Sequence, residues 1–181
     1  MKGLDKAARV LAKIFEIAHW IGAVSMVVGL VLTLVMGEAA VAGDPNDVSA
    51  TLTSYGFELQ VVNAAGALDM GALRMFLVGG AIIMGLMAMV FRNVYLILRN
   101  SENATPFQPD NVRMVREIGI FLIAVPVVGL LVSMAARLVL GVDAVEGSVN
   151  LGSVMVGLVV LCLSRFFARG MELENETEGL L

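Results

Sequence analysis

IFEIAHWIGAVSMVVGLVLTLVM, residues Ile14 to Met36, decides the fold class of this chain. A helix that crosses about 30 Å of hydrocarbon at about 1.5 Å per residue needs about 20 residues, and this run is long enough. Its apolar residues go all round a helix instead of lining one stripe, which excludes an amphipathic surface helix. Three further runs share that character: residues 73–98, 118–140 and 151–168. The chain is therefore expected to be an all-α integral membrane protein, a four-transmembrane-helix bundle without a separate soluble domain.

Composition supports this reading. Of 181 residues, 59% are hydrophobic and only 15% charged, against about 25% charged in soluble domains. Mean hydropathy is +0.89. The single cysteine, Cys162, excludes an intrachain disulfide. The single histidine, His19, excludes a multi-histidine metal site within one chain, so no cofactor or metal is expected.

The net charge of −4 hides a segregation of signs. Lys2, Lys6, Arg9 and Lys13 precede the first run; Arg92, Arg99, Arg113 and Arg116 lie between the second and third; Arg165 and Arg169 close the fourth. No lysine or arginine occurs from Gly37 to Leu73, where Glu38, Asp44, Asp47, Glu58 and Asp69 stand, and Asp143 and Glu146 follow the third run. Positive residues stay inside. Both termini, the turn at 99–117 and the acidic tail at 170–181 are thus expected in the cytoplasm, with the connection at 37–72 outside. "AVA" at Ala40 to Ala42 resembles a signal-peptidase site, with cleavage between Ala42 and Gly43. The preceding apolar run exceeds the ~7–15 residues of a signal h-region, and the uncleaved reading is preferred.

In the external connection, "DPND" (Asp44 to Asp47) signals a turn. Tyr55, Phe57, Leu59 and Val61 alternate with Gly56, Glu58 and Gln60, the period of a half-buried strand. A short β strand or hairpin over the bundle fits this pattern. It serves either as a ligand surface or, on the preferred reading, as a cap over helix ends.

Few polar residues interrupt the runs. Glu16 and His19 are three apart, on one helical face, with Trp20 beside them. Their "ExxH" spacing is half of a di-iron ligand set, but the second histidine and further carboxylates are missing. Interfacial anchoring is the expected role; an ionisable sensing pair facing the interior is the alternative. Arg137 lies near the end of the third run, and Arg74 and Asp69 flank the same outer boundary. A salt-bridged rim with Asp143 and Glu146 is expected there, with anion binding by Arg74 and Arg137 as the alternative. Pro126 should kink the third helix. Glycines at 22, 29, 80, 85, 152 and 157 provide small faces for helix packing.

The segment RNSENATPFQPDNVRMVREIG, from Arg99 to Gly119, is the polar exception. Thr105 before Pro106 is biased to extended backbone, so Phe107 can turn back among helix ends. Pro109 and Asp110 suit a helix start. Arg113 and Arg116 then lie off the face carrying Val112, Val115 and Ile118. Such arginines anchor to anionic lipid or present a docking surface to a cytoplasmic partner.

"ILRNSENATPFQPDNVRMVREIGIF" and, later, "FFARGMELENETEGLL" resemble the bacterial membrane family called domain of unknown function 2975. The matching positions are Pro106, Phe107, Asn111, Arg116, Ile118 and Gly119, then Phe167, Gly170, Leu173 and Glu174. Ala104 replaces the usual glycine. The resemblance covers about Met75 to Glu176 and implies four spans in the bacterial cytoplasmic membrane. It brings no established activity. Relatives encoded beside a small helix-turn-helix repressor imply a regulator as partner.

No phosphate-binding, zinc-protease or nucleophile-elbow motif occurs, and the basic residues sit at membrane edges without interleaved aromatics, so no direct nucleic-acid contact is expected. The leading expectation is a non-enzymatic regulatory or sensory membrane protein. The alternative is a small transporter or channel subunit, acting as a homo-oligomer because four helices enclose little space.

Overall fold

The computed structural model describes residues 2–40, 51–52, 57–58, 68–101, 107–141 and 151–178. Four helices dominate: α1, Lys2–Met36; α2, Met70–Asn100; α3, Pro109–Leu140; and α4, Leu151–Glu178. All four are long and apolar enough to cross a membrane, which marks a multi-pass membrane protein. In lipid every backbone N–H and C=O must find its partner within the chain, and a helix satisfies that requirement residue by residue. The most apolar stretches of α2 and α3 bury 33% of their residues against protein, those of α1 and α4 only 11%. Most apolar surface on α1 and α4 is therefore left for lipid to cover.

Local chemistry fixes the helix ends. Gly37, at φ +60°, directly follows α1 and opens a 3-10 turn over Gly37–Ala40; Gly141, at φ +96°, follows α3. Both are left-handed positions that glycine fills without a Cβ penalty. Asp69 caps α2, its Oδ1 accepting the Gly71 N–H at 2.8 Å and the Ala72 N–H at 3.1 Å. α3 opens with Pro109 and has Asp110 in its first turn, and it runs through Pro126 as one helix. α1 begins well before the apolar run, at Lys2. α4 continues through the acidic stretch after Gly170 as far as Glu178. From the connection at 37–72, the strands β1 (Thr51–Leu52) and β2 (Phe57–Glu58) pair antiparallel, Thr51 opposite Glu58 and Leu52 opposite Phe57. Tyr55, Leu59, Val61, Asp44 and Asp47 lie outside the described residues.

The contacts group into two compact units. The first comprises residues 1–18, 86–124 and 152–181. In it α3 and α4 run antiparallel with backbones close together. A Cβ on Gly119 would stand 2.7 Å from Leu161 Cγ and 3.1 Å from the Gly157 carbonyl; one on Gly157 would stand 2.6 Å from Ile123 Cγ1 and 3.0 Å from the Gly119 carbonyl. α1 meets α2 through stacked Phe15 and Phe91 rings, centroids 5.1 Å apart. Lys13 Nζ sits 5.0 Å from the centre of the Tyr95 ring.

The second unit comprises residues 19–85 and 125–151. Here Gly22 faces Met84 and Gly29 faces Leu77, with added Cβ atoms at ordinary contact distances of 3.5 and 3.4 Å. α1 and α2 are thus antiparallel in this unit. Arg74 Nη2 donates to the Thr33 carbonyl, in the last turn of α1, at 2.8 Å. Carbonyls in a final helical turn lack full intrahelical pairing, and the arginine of the neighbouring helix supplies a donor. Its Nε is buried without an acceptor among the described residues.

Candidate functional site

The polar segment after α2 and the end of α4 meet within the first unit. α2 finishes at Asn100, and the Ser101 hydroxyl donates back to the Ile97 carbonyl at 2.8 Å. Such a side-chain bond closes the last turn where the backbone leaves the helix. Thr105 and Pro106 lie outside the described residues. Phe107, just before α3, places its ring on α4: its centroid is 5.6 Å from that of Phe167, and the rings are tilted by 51°. A Cβ on Gly170 would lie 2.7 Å from both Phe107 Cδ1 and Cε1. Gly170 is therefore the bare patch of helix on which this ring rests. With 37% of its surface exposed, Phe107 lies against the helix without being enclosed by it.

In the first turn of α3, Asn111 is fully buried. Its Oδ1 accepts from Asn100 Nδ2 at 3.2 Å and its Nδ2 donates to Ser101 Oγ at 3.5 Å. The first turn of α3 is thus tied to the last turn of α2 by side chains. Two turns deeper, buried Asn93 donates from Nδ2 to Glu117 Oε2 at 3.0 Å, while Arg113 Nε lies 3.5 Å from Glu117 Oε1. The buried Asn93 amide thus finds its acceptor in a carboxylate that is itself partly exposed. Asn93 and Glu117 were not singled out in the sequence, although an asparagine inside an apolar run is a usable signal, since lipid offers it no partner.

The residues of the expected docking motif divide by role. Phe107, Asn111, Gly119 and Gly170 are packing residues whose neighbours explain their identity. Arg99, Arg113 and Arg116 are exposed at the same end of this unit, as is Leu173, 65% exposed. Glu174 is half-buried.

The remaining polar candidates have separate surroundings. Glu16 is buried and accepts from Lys13 Nζ at 3.0 Å; His19 is half-buried and Trp20 exposed. Arg137 is exposed at the end of α3, whereas Arg74 is engaged by Thr33 and Asp69 by the start of α2. Asp143 and Glu146 lie outside the described residues. Among the described residues no three His, Cys, Asp or Glu side chains group closely enough to hold a metal ion.

Phe107 on Gly170 joins the two sequence blocks on which the family resemblance rests. The family model for proteins of unknown function, DUF2975, matches residues 66–179, well over half of the chain. The chain belongs to the DUF2975 family. The match begins just before α2 and ends just after α4, so the DUF2975 region holds three of the four helices and the whole turn between α2 and α3. No curated protein and no solved structure matches the chain.

Proposed function

We propose that this DUF2975 protein is a non-enzymatic regulatory protein of the bacterial cytoplasmic membrane. Both its termini and the 99–119 turn face the cytoplasm, where the turn and the end of α4 together dock a soluble protein. The contact of Phe107 with Gly170 and Phe167 carries this reading. It fixes the residue before α3 against the end of α4, near helix ends where Arg99, Arg113, Arg116 and Leu173 are each exposed. A connection needed only to return the chain to the membrane requires no such anchoring. Exposed arginines beside an exposed leucine suit a protein surface that offers carboxylates around an apolar contact. A small helix-turn-helix regulator is the partner favoured by the family resemblance, and the external connection or the helices would receive the signal.

The test compares proteins recovered from detergent extracts by wild type and by Arg113→Glu/Arg116→Glu, which leaves the Phe107 anchor intact. A specific cytosolic protein lost from the variant supports the reading; identical recoveries overturn it. Orientation is tested separately with a cysteine at Arg99 in a Cys162→Ala background. Labelling of intact cells by a membrane-impermeant maleimide would place the turn outside and defeat the proposal.

A further inference from the structure

α4 carries an open cleft of about 460 Å³ on its own surface, lined by Cys162, Arg165, Phe166, Ala168, Arg169 and Glu172. These residues belong to neither the Phe107 contact nor the Asn93–Glu117 pair. Their order along the helix is chemical. Cys162 is exposed and Phe166 is 68% exposed, both at the end of the apolar stretch. Arg165 lies just before Phe166, Arg169 one turn beyond Arg165, about 6 Å along the axis, and Glu172 about 4.5 Å beyond Arg169. Neither arginine makes an ion pair among the described residues, although Glu172 shares the cleft.

We propose that this cleft binds the headgroup of an amino phospholipid, with its phosphate between Arg165 and Arg169 and its ammonium on Glu172. Three features select this occupant. Cys162, then Arg165 and Arg169, then Glu172 along α4 mirror acyl chain, phosphate and amine along such a lipid, with Phe166 and Ala168 between the two arginines. Two guanidiniums one turn apart present paired N–H donors at the spacing a single phosphodiester can bridge, and charge-assisted bonds of this kind are the strong ones. The position, where the apolar part of α4 gives way to charged residues, is the depth at which headgroups lie. A purely anionic headgroup would satisfy the arginines but leave Glu172 facing negative charge. A second copy of the chain laid parallel on this face would set Arg165 and Arg169 near their own counterparts.

The test uses the full chain in detergent, titrated with dioleoyl phosphatidylethanolamine or dioleoyl phosphatidylglycerol and read by native mass spectrometry. Wild type is expected to prefer the ethanolamine lipid about threefold. Arg165→Gln/Arg169→Gln should weaken both lipids about tenfold, and Glu172→Gln should abolish the preference, weakening the ethanolamine lipid and, with the repulsion gone, strengthening the glycerol lipid. Arg165→Lys/Arg169→Lys keeps the charge and should lose only the fork, about threefold. Equal binding of both lipids by wild type and Arg165→Gln/Arg169→Gln would overturn the site, as would a wild-type preference for the glycerol lipid. Displacement of the lipid by millimolar inorganic phosphate would assign the arginines to a free anion instead. Efficient Cys162–Cys162 disulfide formation in native membranes would give the cleft to a second copy and also defeat the proposal.

Discussion

Glycines serve different purposes in the two units of this protein. In the unit containing residues 86–124 and 152–181, Gly119 and Gly157 bring the backbones of α3 and α4 into contact, and Gly170 receives the ring of Phe107. A methyl group at any of these would overlap a neighbour at 2.6–2.7 Å. In the unit containing residues 19–85 and 125–151, Gly22 and Gly29 face the flexible ends of Met84 and Leu77 at 3.4–3.5 Å, with room for a methyl group. Between these packed helix faces the same residue type is thus a requirement in one place and a convenience in the other, although at Gly71, in the first turn of α2 in the second unit, a Cβ would also stand 2.7 Å from Leu140 Cδ2. Polar contacts follow a similar division: side-chain amides tie α2 to α3 in the first unit, whereas in the second Arg74 ties α2 to a backbone carbonyl of α1. Family motif residues with described packing, Phe107, Asn111, Gly119 and Gly170, all fall in the first.

The largest test of this contrast is Gly157→Ala. Its methyl group meets backbone, the Gly119 carbonyl at 3.0 Å and the Ile123 nitrogen at 3.2 Å, which cannot move without shifting a helix. Overpacking of this kind should destabilise by about 3 kcal/mol, measured by reversible unfolding in detergent. Asn111→Ala comes next. It removes the partner of half-buried Asn100 and one of the two partners of half-buried Ser101, leaves a small cavity at a fully buried position, and should cost about 1–2 kcal/mol, with faster hydrogen exchange at the start of α3. Gly170→Ala presses on a half-exposed ring that can swing aside, so about 1 kcal/mol is expected. The sharper readout is loss of the Phe107–Phe167 ring contact, seen as changed NMR shifts of the two aromatic rings. Gly29→Ala should lie within about 0.5 kcal/mol of wild type, because gained helix propensity offsets a slight push on Leu77. A loss comparable to that of Gly157→Ala would erase the distinction between the two glycine classes.

Much of the architecture is readable along the chain because lipid imposes a local rule. Any long apolar run must become helix, and the ends are set by neighbours in sequence: Gly37 after Met36, Asp69 before Met70, Pro109 with Asp110, and Gly141 after Leu140. Phe107 and Gly170 are each marked in the sequence, the first beside a proline and the second by the resemblance. Their contact with each other is not. Asn93 and Glu117 stand 24 positions apart in helices apolar on all sides, and such helices carry no stripe to indicate which residues face protein. Arg74 reads in sequence as a rim charge or anion ligand, yet its donor goes to a carbonyl 41 positions away.

Composition and charge order by themselves determined that this chain forms four long apolar helices with a polar arginine-bearing turn between the second and third. Each of those features is decided within a few residues, by whether a side chain prefers lipid or water. Only the tertiary structure decided which glycines touch backbone, which amides meet carboxylates, and that Phe107 rests on Gly170. Those pairings depend on the rotation and register of one helix against another, set by packing of many side chains at once, and no single stretch of sequence encodes them.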